Sequence, residues 1–192
     1  ETAVSPSVSS NSSPEEYSFE TGIGNDWTVA DNSAEESIWT NVNGSYSGFE
    51  WSNGSLVVNN FERVKVGVIG GYTEIVSKSF NLSNFSTPAI KFSWAGAALN
   101  TFPTNEITVH YSTNCGENWL SLGTLDPVTT SRSGYIATNF VPNENDWLDT
   151  VLTKNALKNN NIKFKIAYSA GTTAHNNIYI DNIKIGEASS LF

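Results

Sequence analysis

Two segments of this chain alternate apolar and polar side chains with a period of two residues. In the first, Ile107, Val109 and Tyr111 are interleaved with threonine, histidine and serine. In the second, residues 162–168, isoleucine, phenylalanine and tyrosine fill every second position and two lysines lie between them. Successive side chains of a strand point to opposite faces, so this pattern predicts antiparallel strands with one face buried and the other in water.

The remainder of the chain has the same strand-like character. Asn-Gly and Gly-Gly pairs, which are typical of tight turns, separate its short apolar segments. Only residues 146–157 are candidates for a turn or short helix. Many short strands without strand–helix alternation predict an all-β fold, an antiparallel two-sheet β-sandwich of the jelly-roll type. Besides the two above, strands are expected at residues 17–19, 38–40, 55–58, 63–69, 74–80, 89–95, 135–140 and 178–185.

The composition predicts one folded domain behind a short polar segment. Residues 1–15 are rich in serine and proline and are expected to be a linker or leader, and residues 16–192 are expected to be a single sandwich. The sequence contains no methionine and no signal peptide, which favours a mature or excised piece of a longer precursor. It also has no apolar run near the roughly 20 residues that span a bilayer.

The formal net charge of −9 restricts the partners of the chain. Nucleic acids and anionic membranes attract basic surfaces, so we expect no nucleic-acid binding and no membrane insertion. A strongly acidic chain is suited to binding cations. The single cysteine, Cys115, excludes an internal disulfide framework.

Catalytic motifs are missing from the sequence. The only histidines, His110 and His175, lack the spacing of a zinc site, and no nucleophile elbow or phosphate-binding glycine loop occurs. Paired carboxylates for glycoside hydrolysis stay open, because the chain has 19 acidic residues, but no pair stands out. We therefore expect no catalytic residues, and a free-standing hydrolase is the third of three functional hypotheses.

The last predicted strand changes its apolar face part of the way along. Ile178 and Ile180 share one parity, whereas Ile183 and Ile185 share the other, and Asp181 has the parity of the second pair. One interpretation is a β-bulge with Asp181 exposed. The other is a buried Asp181 carboxylate, which needs a partner such as a bound cation.

Four short motifs, in order along nearly the whole chain, resemble those of the MAM-like, cleaved-adhesin-like modules of Bacteroidetes proteins secreted by the type IX system. Modules of that family are attached to metallopeptidases, gingipain-type proteases and polysaccharide-active enzymes. The motifs are Ser-Phe-Glu at 18–20 with Asp-Trp at 26–27, Ser-Thr-Asn-Cys-Gly-Glu-Asn-Trp at 112–119, Phe-Val-Pro at 140–142 with a tryptophan at 147, and Asn-Ile-Tyr-Ile-Asp-Asn-Ile at 177–183.

The resemblance implies a jelly-roll sandwich with a structural Ca²⁺ that joins the first strand to the last. Carried over by position, Glu20 and Asp181 are its side-chain ligands, and Asn53 in the Asn-Gly-Ser turn adds an oxygen. The chain departs from the family at Asn114, where the family usually has aspartate. That difference weakens any expectation of a second cation in the 112–119 loop.

The function implied by the resemblance is that of a non-catalytic accessory or adhesion module in a larger secreted bacterial protein, a peptidase or a surface adhesin. Its expected location is extracellular, either secreted or on the cell surface. Its expected partners are the other domains of the same precursor and a host or matrix protein.

The alternative is a carbohydrate-binding module that targets a polysaccharide-active enzyme to a glycan. Trp51 and Trp147 lie in polar segments, and an exposed indole there would stack on a sugar ring. The competing interpretation is that each indole folds back to cover the sandwich. Trp27, Trp94 and Trp119 are expected in the core.

Overall fold

The computed structural model describes the chain at residues 13–31, 39–43, 52–99, 104–125 and 133–192. Within these residues the chain forms eleven strands, one α-helix and two 3-10 turns, Asn155–Leu157 and Ala188–Ser190. The helix α1 is Asn60–Lys65. The strands are β1 (Glu15–Tyr17), β2 (Trp27–Asp31), β3 (Thr40–Asn43), β4 (Gly54–Val58), β5 (Tyr72–Ser77), β6 (Pro88–Gly96), β7 (Glu106–Ser112), β8 (Leu120–Leu125), β9 (Leu148–Thr153), β10 (Lys163–Ser169) and β11 (Ile178–Glu187).

The strands pair into two antiparallel sheets. The six-stranded sheet has the order β3-β4-β11-β6-β9, with β1 added to β11, and the five-stranded sheet has the order β2-β5-β10-β7-β8. Strand β11 therefore pairs with β1, β4 and β6. The predicted all-β, two-sheet sandwich is confirmed.

The core lies between the two sheets and follows the period-two pattern of the sequence. Val109 of β7 and Ile166 of β10 are 0% exposed, as is Phe92 of β6 in the opposite sheet. All three belong to one apolar cluster that spans the interior. Full burial of such a side chain contributes about 1.5–3 kcal/mol, so these alternating positions supply much of the driving force for folding.

A second apolar cluster covers part of the outer face of the six-stranded sheet. Phe140 and Trp147, from the segment between Ser133 and β9, pack with Ala95 of β6 and Tyr179 of β11. The Tyr179 hydroxyl donates to the Phe140 carbonyl oxygen at 2.9 Å, and the two rings are 5.9 Å apart, edge to face. This segment removes that part of the sheet from water.

The prediction of a strand at residues 63–69 is wrong, because the chain forms the end of α1 and a loop there. The Asn59 side chain caps the helix by accepting from the Glu62 backbone N–H at 3.5 Å, and Gly67 ends it with a φ of +83°. Only glycine adopts such a left-handed φ without strain. No helix among the described residues is long and apolar enough to cross a membrane.

The helix or turn suggested for residues 146–157 is also wrong over most of its length. This segment is the edge strand β9, in which Leu148 and Leu152 pack against the core and Asp149 lies on the other face. Residues 135–140 were expected to be a strand but form only an isolated bridge, between Tyr135 and Ala98. Strand β1 begins at Glu15, inside the expected leader, whose first twelve residues lie outside the described part.

His175 is a buried titratable group next to the end of β10. It is 2% exposed, and its Nε2 lies 3.2 Å from the Thr173 hydroxyl. Burial lowers the pKa of His175 to about 4, because the charged imidazolium is poorly solvated inside the protein.

This lowered pKa predicts a loss of stability in mild acid. Below pH ~6.5 His175 takes up a proton in the unfolded chain but not in the folded chain. The contribution of His175 to the free energy of unfolding therefore falls as the pH drops toward 4. His175→Gln should be less stable at neutral pH but should remove about 2 kcal/mol of the loss between pH 7 and pH 4.5. Urea unfolding of both proteins at each pH measures this difference, and equal losses would contradict the prediction.

Candidate functional site

Glu20 binds a turn that is distant from it in sequence. Its carboxylate accepts the backbone N–H of Asn53 at 3.0 Å and that of Gly54 at 3.1 Å, one on each oxygen. The preceding residue, Phe19, is buried and adopts a φ of +56°, which reverses the chain after β1. The Asn41 amide donates to the Phe19 carbonyl oxygen at 2.7 Å and so holds this turn against β3.

Gly54 is required by the close approach of these two segments. A Cβ on Gly54 would lie 2.7 Å from the Cα of Glu20 and would also meet the Phe19 carbonyl. Both neighbours are backbone atoms, which cannot rotate away. The absence of a side chain is therefore what lets Glu20 reach the turn.

Asp181 reaches the same turn from the last strand. A register shift separates Asp181 from Lys184, and Asn182 between them has a φ of +51°. Asp181 is 1% exposed and accepts the Ser52 hydroxyl at 3.0 Å and the Asn182 N–H at 2.7 Å. The expected bulge is present and the carboxylate is buried, so the interpretation of an exposed Asp181 is wrong.

The bulge places Asp181 on the outer face of its sheet, and the prediction from parity that it points toward the core is wrong. Ile178 and Ile180 face the core between the sheets, whereas Tyr179 faces the second cluster, and Asp181 shares the parity of Tyr179. Its carboxylate therefore lies on the outer face of the six-stranded sheet. There it is 1% exposed and accepts the hydroxyl of Ser52.

Glu20 and Asp181 therefore converge on residues 52–54, where the Glu20 oxygens accept backbone N–H groups and Asp181 accepts the Ser52 hydroxyl. Ser55 follows, is 0% exposed, and its hydroxyl has no hydrogen-bond partner among the described residues. Continuing the β4–β11 register places Ser55 opposite Asp181. Carboxylate, hydroxyl and carbonyl oxygens suit Ca²⁺, so the residue types fit a calcium site.

Among the described residues, this candidate cation site has two acidic side chains, Glu20 and Asp181. No group of three or more histidine, cysteine, aspartate or glutamate residues is gathered in the part of the chain that the structure describes. A Ca²⁺ ion takes six to eight oxygens, so the others would come from hydroxyl or carbonyl groups and from water.

Asn114 has a local structural role. Its side-chain oxygen accepts the Ser112 hydroxyl at 2.9 Å and the Asn118 N–H at 3.0 Å, which closes the loop between β7 and β8. Cys115 in this loop is exposed, with a φ of +61°.

The tryptophans differ from expectation in two places. Trp147 is 3% exposed, so its indole covers the sheet and has no free face for a sugar. The expectation that Trp147 stacks on a sugar is therefore wrong. Trp51, the other expected stacking residue, lies outside the described residues. Trp27 and Trp94 are buried as expected, but Trp119 is partly exposed beside Lys165, whose ammonium lies 4.8 Å from the ring centre.

Comparison with solved structures confirms the fold implied by the sequence motifs. The chain superposes on the K1 cleaved adhesin domain of Lys-gingipain from Porphyromonas gingivalis with a TM-score of 0.66 and 19% identity, covering 91% of this chain and 98% of that domain. The K3 domain of the same protein gives a TM-score of 0.63 and 16% identity, covering 91% of this chain and 98% of that domain.

Carbohydrate-binding modules share the fold at lower similarity. The module CBM27-1 of Caldicellulosiruptor saccharolyticus, solved with mannohexaose, gives a TM-score of 0.54 and 11% identity, covering 90% of this chain and 96% of that one. No protein-family model and no curated protein matches the chain.

Gly54→Ala should destabilise the protein by about 2 kcal/mol, because the added methyl group meets the backbone of Phe19 and Glu20, which cannot move aside as a side chain can. The matched control is Gly123→Ala on β8, where a Cβ would come 2.9 Å from Leu152, whose side chain can move. Chemical denaturation of both variants measures the difference. A Gly54→Ala loss no larger than that of Gly123→Ala would contradict the close approach.

Proposed function

We propose that this chain is a non-catalytic accessory or adhesion module of a larger secreted bacterial protein, and that a structural calcium ion stabilises it. The observation that carries the proposal is the convergence of Glu20 and Asp181 on the Ser52–Gly54 turn. The fold shared with the cleaved adhesin domains of Lys-gingipain supports it.

Calcium would act here as a link between distant parts of the chain. Glu20 and Asp181 would hold the ion with their carboxylates, and Asn53 would add an oxygen from the turn. The ion would neutralise two carboxylates, of which Asp181 is almost fully buried. It would also fix the turn after β1 to β11, and would oppose fraying where the polar leader enters.

The parent protein in this proposal is a peptidase or surface adhesin of the Bacteroidetes type IX kind. The module would be extracellular, and its partners would be the other domains of the same precursor and a host or matrix protein. The net charge of −9 supports the absence of nucleic acid from that set.

A carbohydrate-binding module is the second candidate function. The observation that favours it is the outer face of the five-stranded sheet, where the aromatic residues Tyr72 and Trp119 are partly exposed beside polar side chains. The fold shared with a carbohydrate-binding module solved with mannohexaose also supports it.

Removal of calcium is expected to lower the melting temperature. A ligand that binds only the folded state at a hundredfold excess over Kd stabilises it by about 2.7 kcal/mol, which corresponds to about 5–10 °C for a domain of this size. The melting temperature, followed by circular dichroism after chelation, should recover with Ca²⁺ more than with Mg²⁺, because the larger ion tolerates an irregular site.

Matched variants distinguish a specific site from general screening of charge. Glu20→Gln and Asp181→Asn should abolish the calcium response. Glu187→Gln should retain it, because Glu187 accepts backbone N–H groups of Ser86 and Thr87, as Glu20 does at its own turn, but lies at the end of β11 away from residue 181. Unchanged melting of the metal-free wild-type protein would refute the calcium proposal.

A further inference from the structure

Asn53 and Gly54 form one of the two Asn-Gly pairs in the chain, and the other is Asn43-Gly44. In such a pair the backbone nitrogen of the glycine can attack the side-chain amide carbon of the asparagine, because glycine has no side chain to block the approach. This reaction deamidates asparagine without an enzyme. Asn53 is exposed, so solvent reaches the reacting groups and their product.

The covalent change needs only these two residues and water. The Gly54 nitrogen loses its proton and bonds to the Cγ of Asn53, while the bond between Cγ and the side-chain nitrogen breaks and ammonia leaves with one added proton. Water then opens the resulting succinimide at one of its two carbonyl carbons. The products are aspartate and isoaspartate, and each adds one negative charge to the chain.

The Glu20 carboxylate opposes the first of these steps. The Gly54 N–H donates to the Oε1 of Glu20 at 3.1 Å, and the Asn53 N–H donates to the Oε2 at 3.0 Å. A negatively charged acceptor disfavours loss of the Gly54 proton, because the amide anion would lie against the carboxylate. The nitrogen also has to leave this hydrogen bond before it can attack.

The backbone around Gly54 is held as well. Gly54 begins β4, where it lies opposite Asn43 of β3. A Cβ on Gly54 would lie 2.4 Å from the Phe19 carbonyl oxygen and 2.7 Å from the Cα of Glu20, so the two segments are in close contact. A rotation at Asn53 that carries the Gly54 nitrogen toward the Asn53 side chain also moves Gly54, and this contact leaves little room for it.

We propose that Asn53 is a latent deamidation site, which the Glu20 carboxylate keeps unreactive while the turn after β1 is docked on residues 52–54. Release of Glu20 from this turn exposes the Gly54 nitrogen and starts the reaction. The site goes beyond the proposed function and does not require calcium. Only its consequence for a bound ion rests on that function.

The two products would change the candidate cation site in opposite directions. Aspartate at position 53 would add a third carboxylate to the turn that Glu20 and Asp181 reach, and carboxylates are favoured ligands of Ca²⁺. Isoaspartate would lengthen the backbone between positions 53 and 54 by one methylene group and would move the Gly54 N–H away from Glu20. Deamidation would therefore divide the protein into forms that differ in calcium affinity.

The test follows deamidation of the metal-free chain by peptide mass spectrometry, so that its result does not depend on calcium. Cleavage after glutamate places Asn43 and Asn53 in different peptides, residues 37–50 and 51–62. Both asparagines are followed by Gly-Ser, so they should react at similar rates in urea. In the folded wild type, Asn53 should react about tenfold or more slowly than in urea, because attack first breaks a hydrogen bond to a charged group.

Variants separate the Glu20 contact from general stability. Glu20→Ala should raise the Asn53 rate about tenfold or more, and Glu20→Gln, which keeps one acceptor oxygen, should raise it less. Glu187→Ala removes a carboxylate that accepts two backbone N–H groups at another turn and should leave the rate unchanged. Val109→Ala weakens the core, where Val109 is fully buried, and should also leave it near that of the wild type.

Two outcomes would overturn the proposal. The first is an equal Asn53 rate in folded wild type and in urea. The second is a rise in Val109→Ala as large as that in Glu20→Ala, which would assign the reaction to global unfolding. Melting curves identify the variants that are folded during incubation. If Glu20→Ala does not fold, Glu20→Gln and the comparison of wild type with urea decide.

The consequence for calcium is measured on Asn53→Asp, which reproduces one product. This variant should need less Ca²⁺ than the wild type for the same rise in melting temperature, because it adds a carboxylate to the turn. Absence of any calcium response in both proteins would contradict the calcium proposal and leave the deamidation site standing.

Discussion

The bulge at Asn182 is the feature on which the rest of the sandwich depends. Strand β11 carries Ile180 before it and Ile183 after it, and these residues have opposite parity, yet both face the core. With Asn182 in a left-handed conformation, the bulge inserts one extra residue, so the isoleucines before and after it both face the core. Without that residue, one half of the strand that pairs with β1, β4 and β6 would turn its isoleucines away from the core.

Sequence patterns predicted the strands that are buried on one face and failed where polar and apolar residues mix. Strand β7 was predicted with its observed bounds, because its alternation follows directly from burial of one side. Edge strands β2 and β8 were missed, since they carry glycine, serine and aspartate within short apolar segments. The strand predicted at residues 63–69 overlaps the end of the helix α1, because alternating valines after Arg63 resemble a strand and the Asn59 cap lies outside that pattern.

The candidate site residues also divide into those that the sequence predicted and those that only the fold brings together. Glu20 was found through the resemblance of its motif to a family, whereas Asp181 was first singled out by the change of apolar parity in the last strand and only then assigned to the same ion by the resemblance. The roles of Ser52 and Ser55 depend on which strands are neighbours. The same holds for Lys165 beside His110, because the residues are distant in sequence and only the sheet register joins them. Cross-strand neighbours of this kind cannot be read from periodicity.

The outer faces of the two sheets differ in how much freedom their side chains have. On the six-stranded sheet, Ser93 lies between Asp149 and Asp181 in the register and donates to Asp149 at 2.6 Å. The Lys91 ammonium binds the same Asp149 carboxylate at 2.7 Å and is itself almost buried. These polar groups are held by one another and by the strand geometry, so a substitution among them leaves a buried donor or acceptor unsatisfied. On the five-stranded sheet, the outward Lys165 ammonium lies 3.2 Å from the Glu74 carboxylate and the Tyr72 hydroxyl donates to that carboxylate at 2.9 Å, but each side chain of the ion pair keeps 14% exposure to water. Buried hydrogen bonds therefore fix the polar groups on the outer face of the six-stranded sheet more tightly than those on the outer face of the five-stranded sheet.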